Sequence, residues 1–392
     1  MALHFLVQSH YLFANYPIFR TSNLANSPRV YYLIDIITIF FKFNMLQKYL
    51  LIENNLGEMM NLEFHYYITK YLALEAGFDA DESEIIAYSS QYVDDNDIIF
   101  EITDPAGESY NNFITQTKNI LKPKRELMRI YLLYHFLPGV PTGYKTKRKD
   151  GKMHMLMTTP VSTHANEIFY EATRSADLHI LGVATHMLAD TVSHQNFVGT
   201  YDEINSMKGV WETLVPNIGH ADAGLKPDIP NLIWHDPRLI SDNATIDNRD
   251  RVLLAAKRIY SNFLIITSLE KKWSKIKGNI SNIIDDCIDE TQLDMYPEQK
   301  AERIKKFREL LVEFDADSEY DKKSWFNEAI DQDVKFLDDL DYKFDPIKDK
   351  LTFKENYQKT NWYKFQENVK NYQRIAIDKL GPILEELEMK EW

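Results

Sequence analysis

Within Leu181–Gly199 (LGVATHMLADTVSHQNFVG), His186, Asp190 and His194 stand at i, i+4 and i+8. On an α-helix each four-residue step turns the side chain by about 40°, so the three fall within about 80° of one face. A His and an Asp one turn apart can grip a single metal ion, and a third such residue a turn further suits a second ion or a cluster. Mixed imidazole and carboxylate ligands select borderline metals, zinc first among them. Gly182, Ala184 and Ala189 flank these residues inside an apolar stretch. Burying polar groups there without a ligand or partner is costly.

Four further segments carry residues of the same chemistry. His65 heads EFHYYITKYLALEAGF, where a half-exposed histidine at a helix start is the plainer reading. Asp94 and Asp95 end SSQYVDD, and acidic residues at a helix C-terminus face a negative dipole end that a bound cation relieves. His135 closes YLLYHFLPG, where it also suits a helix cap. His220, Asp222 and Asp228 lie in NIGHADAGLKPDIP, where Gly219 and Gly224 allow close backbone approach to an ion. His179 shares the His186 face and suits a structural or supporting role, and His164 is weaker still. His154 and His235 read as surface or substrate-loop residues. Cys287 is the only cysteine, which excludes an intramolecular disulfide framework and leaves any metal to His, Asp and Glu.

The elements that must position these groups are helical. The 392 residues contain only 13 Gly and 14 Pro, few for a many-stranded fold, and 44% hydrophobic with 27% charged residues excludes a disordered chain and a multi-span membrane protein. The net charge of −14 argues against nucleic-acid binding through a broad basic surface. The pattern predicts helices over Tyr66–Ala76 (ending at Gly77), from an Asp81/Glu84 capping box to Tyr92, and over Lys124–His135. It also predicts one long helix over Asn166–Asn196 and another over 249–276. Residues 98–112 read as a short strand and turn, 139–163 and 199–247 as long loops, and 294–392 as charged amphipathic segments, with Thr291–Lys322 a surface excursion. Residues 1–59 read as a leader unlike the rest: their apolar run at Val30–Phe43 is broken by Asp35 and Lys42, too short to span a membrane. Met59 or Met60 is then the natural start, the alternative being a membrane-peripheral or targeting segment. The expected organisation is all-α: a leader (1–59), a metal-binding catalytic core (60–280) and a C-terminal helical region (281–392).

The order His65, Asp94, His135, His186, Asp190, His194, His220 resembles the zinc-dependent phospholipase C and P1 nuclease superfamily, an all-helical fold holding a zinc cluster between helices. FHYYITKYLALEAGF, SSQYVDD, HFLPG and HMLADTVSHQNF together look more closely like the bacterial zinc phospholipases C that hydrolyse phosphatidylcholine. The similarity covers about residues 60–270, with weaker support in NWYKFQENVKNYQR (361–374).

The resemblance implies two or three zinc ions held by His65, Asp94, His135, His186, Asp190, His194 and His220. It also implies Asp94 as the carboxylate that orients or deprotonates water, with Asp95 as the fallback. Three departures stand out. No Trp precedes His65 to supply a terminal amine, and His194 follows Asp190 by four residues where the family has six. Gly224 stands where the family has a glutamate four residues after the late histidine, and Asp222 is the expected replacement. Tyr66, Tyr92 and Tyr134, beside the ligands, suit packing or a choline pocket. The implied partner is a phospholipid surface rather than nucleic acid, which places the enzyme outside the producing cell, although no signal peptide is evident. A nuclease on the same scaffold and a non-catalytic, metal-stabilised membrane module are the alternatives.

Overall fold

The computed structural model describes residues 62–117, 128–207, 217–317, 319–331 and 351–389. The expected leader and the first residues of the helix expected at Lys124–His135 lie outside them. Among the described residues the fold is all-α in class, with two small three-stranded sheets. Among the described residues no helix is long and apolar enough to cross a membrane.

The chain enters through a π-helical stretch, Glu63–Ile68, that continues into α1 (Thr69–Ala76) and stops at Gly77, whose φ of 102° only glycine adopts freely. Helix α2 (Ala80–Asp95) is opened by a capping box, but its residues are Asp79 and Glu82, two positions before the expected pair. Glu84 instead accepts hydrogen bonds from Tyr66 Oη (2.8 Å) and Lys70 Nζ (2.6 Å), tying α2 to α1. The strand and turn expected at 98–112 form a hairpin, β1 (Glu101–Thr103) with antiparallel β2 (Ser109–Asn111).

The long helix expected over 166–196 is two helices, α3 (Thr163–Arg174) and α4 (Leu178–Ser193). Asp177 breaks the run by capping the second, accepting from His179 N at 2.8 Å. Every residue of α4 from His179 to Val192 is buried. A helix covered on all sides belongs at the centre, and α4 packs against α2, α3, α5 (Asn248–Thr267) and α9 (Asn361–Glu386). Gly182 allows the tightest of these approaches: a Cβ there would lie 2.4 Å from Ser89 Cβ and 2.5 Å from the Ile86 carbonyl oxygen of α2.

The helix expected at 249–276 also divides, at Ser268 in the left-handed region, into α5 and α6 (Trp273–Ile283). The expected surface excursion at 291–322 is instead largely α7 (Tyr296–Val312), which buries Arg303, Phe307 and Leu311 and pairs Arg303 with the fully buried Glu63. The C-terminal region packs on the helices that precede it. β6 (Leu351–Thr352) pairs parallel with β1, α8 (Ser324–Ala329) packs on α9, and α9 packs on α4. The second sheet joins β3 (Leu232–His235) with β4 (Thr245–Asp247) and β5 (Ile288–Asp289).

Candidate metal centre

Five histidines and three aspartates meet on the buried side of α4. Helix α4 supplies His186 and Asp190, and His194 is its C-cap residue. Asp94 comes from the last turn of α2. His65 and His135 both sit in π-helical stretches, Glu63–Ile68 and Tyr131–His135, a widened geometry common at functional sites. His220 and Asp228 come from the loop after Val198. All eight are buried.

The outer ring nitrogens show which way these imidazoles point. His186 Nδ1 lies 2.8 Å from the Ser90 carbonyl oxygen and His135 Nε2 lies 3.0 Å from that of Thr115. His194 Nδ1 lies 2.9 Å from the His135 carbonyl oxygen, and His220 Nδ1 lies 2.9 Å from that of Gly224. A carbonyl only accepts, so each of these nitrogens carries the proton, and in the neutral ring the other nitrogen is a bare lone pair. Those lone pairs converge on carboxylates and on one another. His186 Nε2 lies 3.2 Å from His135 Nδ1, and each lies 3.1 Å from Asp190 Oδ2. Acceptors packed against acceptors require a proton or a cation between them, and carbonyls that anchor the far nitrogen of each imidazole are the usual second layer of a metal site.

The distances divide the centre into three positions. A tetrahedral ion with ligands at 2.0–2.1 Å spaces them by about 3.3 Å. His135 Nδ1, His186 Nε2, Asp190 Oδ2 and Asp94 Oδ1 match that spacing, with separations of 3.1, 3.1 and 3.2 Å and, to Asp94, 3.6 Å twice. A second position lies between His65 Nε2 and the outward oxygens, Asp190 Oδ1 at 3.2 Å and Asp94 Oδ2 at 3.9 Å. His186 is within reach of both positions, but one lone pair serves one ion. The third position is formed by His194 Nε2, 3.0 Å from Asp228 Oδ1, and His220 Nε2, 3.4 Å from Asp228 Oδ2. The first set supplies four protein ligands, whereas the second and third supply three each, the number that catalytic zinc sites take from the protein.

The electrostatics fit the same division. Burial and the neighbouring Asp190 charge push the Asp94 carboxyl well above its usual range. Burial acts the same way on Asp190, but the surrounding histidines outweigh it and hold that carboxyl well below its usual range. Burial takes His186 down to about 3. Burial also opposes charge on His194, yet Asp190 and Asp228 on either side raise it to about 9. Two carboxylates pushed in opposite directions, with an imidazole held between Asp190 and Asp228, make this cluster a candidate functional site.

Asp222 is placed elsewhere. Its Oδ2 accepts from Met207 N at 3.3 Å, and the carboxylate beside His220 is that of Asp228. Asp95 also turns away, toward Tyr320 Oη (2.8 Å) and Gln91 Nε2 (3.0 Å). Tyr66, Tyr92 and Tyr134 are buried in packing, bonded to Glu84, Trp362 and the Val369 carbonyl. His179 ties Asp177 to Asn361 of α9, and His154 pairs with Asp202 at 3.3 Å near the surface. Asp228 lay in a segment the sequence does single out, but at eight residues from His220 its role had no periodic signal. The four anchoring carbonyls had none at all.

A profile of one family, described as a family of unknown function (DUF6765), matches residues 60–380. No curated protein and no solved structure matches the chain.

Proposed function

The chain belongs to the DUF6765 family, and we propose that it is a zinc-dependent phosphodiester hydrolase of the phospholipase C type, cleaving phospholipids such as phosphatidylcholine to diacylglycerol and phosphocholine. The observation that carries this reading is the convergence of five imidazoles and three carboxylates on three adjacent candidate ion positions, two of them with three protein ligands each, the number that catalytic zinc sites use. A structural metal needs one closed set of ligands, whereas a phosphoryl group with two flanking oxygens needs adjacent open ones. The order of motifs along the chain supports a phospholipid as the substrate.

Zinc, when bound, supplies Lewis acidity to the phosphoryl oxygens and acidifies a water molecule. The protein does the rest. Asp190 would hold a metal through each of its oxygens, Oδ2 beside His135 and Oδ1 beside His65. Asp94 stands back from the same histidines, at 3.6–3.9 Å against 3.1–3.2 Å for Asp190. As the more weakly held of the two carboxylates, Asp94 would be the one to exchange a metal contact for a hydrogen bond that orients the attacking water. Phe136 stacks on His194 with centroids 4.7 Å apart, holding that ring against Asp228.

The test is metal content by mass spectrometry on protein purified without chelators, joined to phosphatidylcholine hydrolysis with and without added zinc. Bound zinc with zinc-dependent release of phosphocholine is the expected result, and Asp190→Asn is expected to lose both. Bound metal with no lipid turnover moves the assignment to another phosphodiester, a nucleic acid first. An Asp190→Asn variant that keeps its zinc and full activity removes the ligand assignment.

A further inference from the structure

The loop over residues 139–157 leaves the fold directly from the metal centre. Its first leg follows His135 by four residues, and Gly139 N donates to the Met157 carbonyl at 2.9 Å to close its base. Its second leg is tied to the segment after His194: Thr158 N donates to the Phe197 carbonyl at 2.9 Å and Asn196 N to the Thr158 carbonyl at 3.0 Å. The two legs of the loop are therefore tied to the segments that carry His135 and His194.

The loop is rich in base within an acidic chain. It holds Lys145, Lys147, Arg148, Lys149 and Lys152 against one acid, Asp150, while the whole chain carries −14. Its residues alternate in direction. Thr146 and Arg148 turn inward, Thr146 Oγ1 donating to the Pro141 carbonyl at 2.7 Å and Arg148 Nη1 to the Ile204 carbonyl at 2.9 Å. Lys145, Lys147 and Lys149 between and beyond them are exposed. The row is held in place by Lys149 N to the Arg238 carbonyl (2.9 Å) and Ile240 N to the Lys147 carbonyl (3.2 Å). Among the described residues no carboxylate pairs with these three lysines. The acids nearby are already committed: Asp150 to Arg148, Asp202 to His154, Glu203 to Lys152 and Asp242 to Tyr144.

The same loop gathers four exposed apolar side chains: Val140 (52%), Tyr144 (54%), Met153 (56%) and Met155 (37%). Flexible apolar side chains beside a row of lysines fit an anionic lipid interface, where the apolar groups enter the acyl boundary and the ammonium groups meet lipid phosphates. A single-stranded nucleic acid would ask for stacked aromatic platforms instead, and of these four only Tyr144 is aromatic.

We propose that the 139–157 loop is a membrane-docking surface that seats the metal centre on an anionic phospholipid bilayer through Lys145, Lys147 and Lys149 and the side chains of Val140, Tyr144, Met153 and Met155. This rests on the phospholipid reading above, but its test is separate from turnover. Vesicles of phosphatidylcholine alone and of phosphatidylcholine mixed with phosphatidylserine are floated with the full chain, its Lys145→Gln/Lys147→Gln/Lys149→Gln variant and its Met153→Ser/Met155→Ser variant. Metal content and thermal unfolding serve as folding controls.

Each lysine near an anionic leaflet is worth about fivefold in partition. The triple variant is therefore expected to bind mixed vesicles roughly 100-fold less and to lose its preference for them, and the methionine variant to bind both kinds less. Wild-type protein that does not float, or variants that float as it does, would overturn the proposal. So would lysine neutralisation that abolishes binding of a single-stranded oligonucleotide while vesicle binding persists. Docking without phosphocholine release leaves this surface standing and removes the phospholipase assignment; release with unaltered docking by the variants does the reverse.

Discussion

Replacing His65 by alanine removes one corner of the centre and leaves the nitrogens of the other two positions in place. His65 Nε2 faces Asp190 Oδ1 at 3.2 Å and Asp94 Oδ2 at 3.9 Å, and among the described residues the other imidazole within reach, His186, is shared with the first position. It also differs from the other four histidines in its outer nitrogen. Theirs are bonded to backbone carbonyls at 2.8–3.0 Å, whereas His65 Nδ1 is buried without a partner among the described residues. Loss of such an outer partner costs about 10–100-fold in metal affinity, or about 1.4–2.7 kcal/mol. The His65 position is thus expected to hold the most exchangeable ion. Dialysis against graded chelator, with metal counted by mass spectrometry, is expected to release one equivalent from the wild type at a chelator activity about 10–100-fold below that needed for the rest. In His65→Ala that early phase should vanish while the remaining ions stay. A single release step in the wild type, an early phase that survives in His65→Ala, or loss of all metal from that variant would refute the reasoning.

Gly182→Ala is expected to force α2 and α4 apart, because its Cβ meets Ser89 and the Ile86 carbonyl at 2.4 and 2.5 Å. The cost is about 1–3 kcal/mol in stability, read by denaturant unfolding, with weaker zinc retention as the Ser90 carbonyl leaves His186. Glu63→Gln strands the buried Arg303 guanidinium and is expected to cost about 3–5 kcal/mol; a melting temperature within a degree of wild type would contradict it. In metal-stripped protein, His194 is raised to about 9 from an unfolded value near 6.5. Its charge therefore stabilises the fold fully below about 6.5, and that contribution is lost as the pH climbs through about 9. The stripped protein should melt at lower temperature across this window. Zinc, which displaces that proton, should flatten the dependence; an equal slope with and without zinc would count against His194 as a ligand.

Much of the centre was legible because helices repeat. His186, Asp190 and His194 declared themselves by spacing, and Gly77, Asp94 and His135 stood at helix ends that the sequence marks. What was hidden depends on tertiary approach. Glu84 reads as a capping residue until Tyr66 and Lys70 claim it. Asp177 sits in a run with enough helical propensity to read through, and only its side chain's bond to His179 N divides α3 from α4. The 291–322 segment looks like surface because Arg303 is charged, and its partner Glu63 is 240 residues away. Asp222 and Asp228 are equivalent as letters, and the short helical turns of their loop decide which meets His220.

The last helix reaches back to brace the metal centre. Gln366 of α9 accepts from Phe113 N at 3.0 Å and donates to Asn96 Oδ1 at 3.0 Å. Thr115, whose carbonyl holds His135, is bonded to the same Asn96. Tyr372 Oη adds a bond to the Leu133 carbonyl at 2.9 Å, across 239 residues. In kinetic terms these are contacts of very high order, closed late because a long loop must first give up its entropy. The chain must therefore emerge almost to its end before His135 is held in its final pose. On the ribosome, the packing that fixes this histidine is completed only with the final helix.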